Sequence, residues 1–207
     1  TIGMMVTTDG SIGDISRGSY VEAEERIVGE LKALGKPFAM ILNSAHPESD
    51  ASIALAYELE AKYNIPVALV SCIDLDAEDI KHILELVLHE FPVTEIRVSL
   101  PEWTEALDGD HEIKQSILQS VRACADKVKK AGDIKDAFTA LADNEYVGQV
   151  SIDDIDLGTG TAKISVAMRD GLYYDTISEL TGFEINGEEE LIGLLKELSE
   201  MKARYDK

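Results

Sequence analysis

The 207-residue sequence predicts an α/β fold with a mainly parallel sheet, followed by a small α+β domain. Three observations carry that expectation. Strand-like apolar runs alternate three times with helix-period segments across residues 1–100. The pattern changes character after Pro101, and in the second half Gly158-Thr159-Gly160 separates two β-like runs.

Residues 2–7 (IGMMVT) form the continuous apolar run of a buried strand. Ser19-Tyr20-Val21-Glu22 has the form of a capping box, and Ala23, Ile27, Leu31 and Leu34 give the next helix its apolar face, with Gly35 as its stop. Phe38–Leu42 is the second strand. Ile53, Ala56 and Leu59 mark a helix over 49–63, and Ile65-Pro66 leads into a third strand, Val67–Ser71. Asp76 caps a helix bearing Ile80, Ile83, Leu84, Val87 and Phe91, which Pro92 ends. In the strand over 94–100, Ile96, Val98 and Leu100 alternate with Arg97 and Ser99, the pattern of an edge or one-sided strand. These elements assign residues 1–100 to the first domain and 101–207 to the second.

In the second domain Ile113, Ile117, Val121, Cys124 and Val128 lie on one face of a helix expected over 110–131, closed by Gly132. Residues 149–157 and 161–168 read as a hairpin. Helices are expected near 170–181 and 188–205, divided by Gly182 and Asn186-Gly187. The last carries Leu191, Leu194, Leu195, Leu198, Met201 and Tyr205, a stripe that the hairpin is expected to cover. No long linker and no internal repeat interrupts the chain.

Charge narrows the function classes. Against 40 Asp and Glu stand 19 Lys and Arg, a formal net charge of -21. Such a field repels phosphate backbones and anionic headgroups, which argues against nucleic-acid or membrane-surface binding. Any ATP bound here needs a local concentration of positive charge. The two cysteines, Cys72 and Cys124, have no metal spacing and suit a reduced, cytosolic compartment. No run approaches the ~18 apolar residues of a membrane helix, and no signal peptide is evident. The chain opens directly on a strand without an initiator Met, so we read it as an internal piece.

In a parallel α/β sheet ligands bind beyond the carboxyl ends of the strands. Three successive strands here end in small polar clusters: Thr7-Thr8-Asp9-Gly10, Asn43-Ser44-Ala45-His46 and Ser71-Cys72-Ile73-Asp74. Polar caps and turns account for such loops equally well. No G-x-x-x-x-G-K-[ST] is present to cradle phosphates, although Thr-Thr-Asp-Gly superficially resembles a Mg²⁺-binding Asp at a strand end. His46 has no accompanying nucleophile motif, and G-x-S-x-G is missing. Cys72, at a strand end, is the candidate reactive thiol; Cys124 lies on an apolar helix face. Glu22, Glu24, Glu25 and Glu188–Glu190 sit where they complement helix dipoles.

The segments "TTDGSIGDI", "YVEAEERIVGELKALGKPF", "ILNSAHP", "LHEFPV" with "LPEWTEAL", and "DGLYYDTISELTGF" resemble the stage IV sporulation protein A family, the spore-coat morphogenetic ATPases of endospore-forming bacteria. The likeness runs through nearly the whole chain. It implies the distal half of a P-loop, translation-factor GTPase-like domain that uses ATP and Mg²⁺ in the full-length protein, followed by a middle domain. It further implies assembly into a homopolymer at the forespore surface in the mother-cell cytoplasm. Other spore coat proteins and a small membrane-bound peptide would be met through regions outside these residues. The phosphate loop would lie upstream, leaving this piece inactive by itself.

The resemblance also gives "ILNSAHP" a physical reading. Asn43 stands where N-K-x-D begins in a GTPase, with Ser44 in place of the Lys and His46 in place of the Asp. That Asp accepts hydrogen bonds from guanine N1–H and its 2-amino group. Adenine lacks both donors, and an unpaired buried carboxylate costs about 1–3 kcal/mol or more. His46 removes this guanine-selective element, Asn43 still braces the loop, and Ser71-Cys72 occupies the place of the loop that backs the base. The alternative is an α/β interaction module that works without nucleotide.

Overall fold

A computed structural model describes residues 2–205. Strands β1 (Gly3–Thr8), β2 (Phe38–Asn43) and β3 (Val67–Val70) form a parallel sheet in the order β1-β2-β3. Helices α1 (Val21–Ala33), α2 (Asp50–Tyr63) and α3 (Ala77–His89) connect and follow them. The α/β architecture expected from the alternation of strand and helix patterns is therefore present.

The central strand explains the layering. Phe38 to Leu42 are all buried, as a strand covered on both faces requires. Met5, Met40, Leu42, Val67 and Leu69 point to one face, where they pack with Val28 and Leu31 of α1 and with Ala56, Leu59 and Tyr63 of α2. Ile41, Ala68 and Val70 point to the other, against Ile83 and Leu86 of α3. That second face stops short of β1, where Met4 is 53% and Val6 60% exposed.

Local chemistry sets the helix starts. Ser49 caps α2 by accepting from the Ser52 N–H, and Asn64 ends it in the left-handed region at φ 50°. Asp76 and Asp79 form a reciprocal capping box on α3. The box expected at Ser19 and Glu22 does not form. Arg17–Tyr20 is a 3₁₀ turn in which Ser19 N–H bonds to Ser16 O, so Tyr20 is the cap of α1 and makes no side-chain cap bond. The buried face of α1 also differs from the expected one: Glu24 and Val28 are inside, while Ile27 and Leu34 are exposed.

Glu24 is the cause of that rotation. Assigned from sequence to the helix dipole, it is instead 2% exposed and fully engaged. Arg17 holds both carboxylate oxygens (Nη1–Oε1 2.6 Å, Nη2–Oε2 2.7 Å), and the Thr7 hydroxyl and Tyr63 OH also donate to it. A buried charge is tolerated when paired and hydrogen-bonded in this way.

Strands β4 (Glu95–Ser99), β5 (Val147–Asp156) and β6 (Thr161–Met168) form a second sheet in the order β4-β6-β5. The edge-like alternation of β4 thus belongs to an edge strand of this second sheet. The β5–β6 hairpin turns through Leu157–Gly160, closed by Gly160 N–H to Asp156 O at 2.8 Å, with Gly160 at φ 70°. Further helices are α4 (Glu112–Ala125), α5 (Asp133–Thr139), α6 (Leu172–Thr181) and α7 (Glu188–Tyr205). Leu107, Ile113, Ile117 and Leu172 form a core with Leu100, Trp103, Val121, Tyr146 and Met168 packed against it. The Asn144 amide donates to both Ser116 and Ser120 of α4 at 2.9 Å.

By contacts, one compact unit holds residues up to 96 with 127–136 and 155–162; the other holds 97–126, 137–154 and the residues from 163 onward. The long helix expected over 110–131 is broken accordingly. α4 stops at Ala125, and the chain then hydrogen-bonds back to the end of α3: Val93 N–H to Lys129 O, Ala131 N–H to Phe91 O and Gly132 N–H to His89 O. Gly132 therefore serves close approach rather than helix termination, since a Cβ there would lie 3.1 Å from that of His89. The covering expected for the α7 stripe is partial: Leu191 and Leu194 are half-buried, while Leu198, Met201 and Tyr205 are exposed.

Arg17→Met removes the counter-charge from Glu24 and is expected to lower unfolding stability by about 3–5 kcal/mol in urea denaturation. A loss below ~1 kcal/mol, the value of a surface pair, would show that Glu24 does not need Arg17.

Candidate functional site

The carboxyl ends of β1, β2 and β3 lie level, with Thr8 opposite Asn43 and Asn43 opposite Val70. The ladder carries one step further, through Asp9 N–H to Asn43 O at 3.4 Å and Ser44 N–H to Val70 O at 3.0 Å. All three polar clusters singled out in the sequence therefore meet at one sheet edge.

Asp9 organises the first loop. Its Oδ1 accepts from the Ser11 N–H (2.9 Å) and Ser11 hydroxyl (2.5 Å), and its Oδ2 accepts from the Ser52 hydroxyl (3.1 Å). Gly10 follows at φ +89°, where a Cβ would lie 2.9 Å from the Arg17 nitrogen; no other residue fits. Ser11 Oγ in turn accepts from the Ala45 N–H at 2.8 Å, so the β1 loop holds the β2 loop. Burial alone would raise the Asp9 pKa, but hydrogen bonds from Ser11, Ser44 and Ser52 outweigh it and hold the carboxyl at about 2.

The second loop is braced from beneath. Ser44 is fully buried; its hydroxyl lies 3.1 Å from that of Ser52 and accepts the His46 N–H at 3.0 Å. Ser49 completes the chain of hydroxyls, donating to Ser52 Oγ at 2.8 Å while capping α2. Asn43 Oδ1 accepts the Cys72 N–H at 2.9 Å and so ties the β2 loop to the β3 loop. Ser71 Oγ donates to Asp74 at 3.2 Å. His46 and the Cys72 thiol are exposed, whereas Cys124 is buried.

The five residues chosen from sequence thus divide. Asn43 and Cys72 are in direct contact, Ser44 is structural filling below the loop, His46 is at the surface above it, and Ser71 lies half-buried beside Cys72. Ser11, Ser52, Arg17 and Glu24 were not anticipated. Their partners lie 34, 43 and 7 residues away, and only the strand order makes the first two neighbours. In Thr-Thr-Asp-Gly both Asp9 oxygens accept hydrogen bonds within the protein, Oδ1 from Ser11 and Oδ2 from Ser52.

A parallel α/β sheet whose three polar loops meet at its carboxyl edge presents the place where ligands bind in folds of this class. Residues 1–92 match the family model described as stage IV sporulation protein A, ATPase domain, and residues 93–207 match that of the middle domain of the same family. Stage IV sporulation protein A of Clostridioides difficile (strain 630) is 40% identical over 207 residues, covering the whole chain and 42% of the relative. The proteins of that name from Bacillus subtilis (strain 168) and Bacillus anthracis are 37% and 38% identical over 206 residues, with the same coverage. No solved structure matches. The chain belongs to the stage IV sporulation protein A family and spans about two-fifths of the length of these relatives.

Because the folded-state pKa of Asp9 lies below its ordinary 3.8, the stability it contributes is complete above about pH 4 and is lost as pH falls toward 2. Asp9→Asn is expected to cost about 1–2 kcal/mol at pH 7, allowing for solvent screening. The difference from wild type in urea denaturation should shrink steadily from pH 5 to pH 2. A constant difference across that range would locate the effect outside the carboxylate.

Proposed function

We propose that the carboxyl edge of the first sheet is the base-side wall of an ATP site, within a protein that uses ATP to assemble a sporulation scaffold. The observation that carries this reading is the Asn43–Cys72 hydrogen bond, which fixes two adjacent loops at a parallel-sheet edge in the part of the chain matching an ATPase domain. Asn43 and His46 on one loop, braced from below by Ser44, and Ser71 and Cys72 on the other, frame the position where a base lies against such an edge.

These residues fit the base end of a nucleotide and not its phosphate end. The side chains named at this edge are hydroxyls, an amide, a thiol and an imidazole, while the Asp9 carboxylate is committed to Ser11 and Ser52 and that of Asp74 accepts from Ser71. ATP bound to the longer protein brings a labile phosphoanhydride, and Mg²⁺ screens its charge. The lysine and amide cradle those groups need must come from outside these 207 residues, in which no phosphate-loop motif occurs. What this chain supplies is base selection. With His46 where guanine readers place Asp, no carboxylate is left unpaired against adenine.

Assembly is the second half of the proposal. The relatives' names tie the family to sporulation; for this chain we propose self-association into a polymer at the forespore surface on the mother-cell side, contacted by other coat proteins and by a small membrane-bound peptide. No helix among the described residues is long and apolar enough to cross a membrane.

Two measurements test this reading. Steady-state assays on the 207-residue chain should give no ATP turnover above background; turnover like that of a slow NTPase would mean the chemistry does not need a phosphate loop. In the longer protein, His46→Asp is expected to move the ATP-over-GTP binding ratio toward GTP by tenfold or more. The swap is made at His46 alone, because Ser44 is fully buried and a lysine there would disrupt the loop. An unchanged ratio would show that Asn43–His46 does not face the base, and absence of ATP binding would leave the nucleotide-independent module.

A further inference from the structure

Two consecutive amides of the loop after β2 lead, by separate routes, to the two oxygens of one carboxylate. Ala45 N–H donates to Ser11 Oγ at 2.8 Å, and the Ser11 hydroxyl donates to Asp9 Oδ1 at 2.5 Å. His46 N–H donates to Ser44 Oγ at 3.0 Å, which lies 3.1 Å from Ser52 Oγ. The Ser52 hydroxyl then donates to Asp9 Oδ2 at 3.1 Å. Pro47 follows with no N–H to offer, so these two amides are the last backbone donors before the chain turns into α2 through Ser49.

A hydroxyl has one proton, so the carboxylate sets the polarity of both routes. With the Ser11 proton on Oδ1, its lone pairs are left for the Ala45 N–H. Ser52 gives its proton to Oδ2 and already accepts that of Ser49 at 2.8 Å. The Ser44 hydroxyl is therefore turned the same way, toward Ser52 and Asp9, and its lone pairs are left for the His46 N–H. An acceptor with no proton of its own is needed at residue 9, and Asp9, held at a pKa of about 2, is ionised across the neutral range. An amide of the same shape would replace one acceptor by a donor, and one of the two hydroxyls would have to turn its proton away.

We propose that Asp9 and Ser11 are positioning residues for base recognition, which act through the Ala45 and His46 amides to hold the His46 loop against the base. The proposal rests on the ATP reading above and adds to it two residues of the β1 loop that read nothing themselves. Ser11 is the more telling of the two, because it is exposed and its loss leaves the route through Ser52 in place.

Amide hydrogen exchange on the 207-residue chain tests the mechanical half. Ser11→Ala should speed exchange at Ala45 by about tenfold, and Asp9→Asn at both Ala45 and His46. The Cys72 N–H, which is held by Asn43 instead, should be unchanged in both variants. Binding to the longer protein tests the functional half, with ATP compared against Mg²⁺-tripolyphosphate, which has a phosphate end and no base. Ser11→Ala should weaken ATP by about fivefold and leave tripolyphosphate as in the wild type. Unchanged exchange at Ala45, unchanged ATP affinity, or equal weakening of ATP and tripolyphosphate would each overturn the proposal while the nucleotide reading stands. A wild-type protein that binds no ATP would overturn that reading, and this proposal with it.

Discussion

The buried Glu24 carboxylate is the constraint on which the first sheet's functional edge depends. A charge at 2% exposure is stable only with full compensation, and Arg17 supplies it from the loop that follows β1. That requirement draws the loop down onto α1 and brings the Arg17 backbone against Gly10, where only a glycine fits. With Gly10 fixed, Ser11 reaches back to Asp9 and across to the Ala45 amide. A pairing in the helix layer thus sets the position of a loop on β2, through covalent geometry and three hydrogen bonds.

Rigidity at this edge comes from hydroxyls rather than from opposed charges. Ser11, Ser44, Ser49 and Ser52 form a connected network whose end point is one carboxylate, Asp9. Small hydroxyl side chains lose little rotamer freedom on ordering and satisfy backbone amides that loops leave open. On the proposed reading adenine is read by shape and neutral donors, while the phosphates require positive charge concentrated elsewhere.

Much of this fold is legible in the sequence where a local pattern and a tertiary demand agree. The all-apolar Phe38–Leu42 run is a central strand, and Asp76 with Asp79 is a capping box, because nothing distant competes with either. Misreadings fall where a distant partner prevails over the local signal. Ser19-x-x-Glu22 has the letters of a cap, but Glu24 two residues later is itself buried against Arg17 and turns the helix. The periodicity over 110–131 is helical, but carbonyls at the end of α3 claim the amides of residues 131 and 132. At the site, Asn43 and Cys72 were legible because both fall at strand ends, whereas Ser52 was not. Its signal was a helix's first turn, and its role depends on which strand stands beside it.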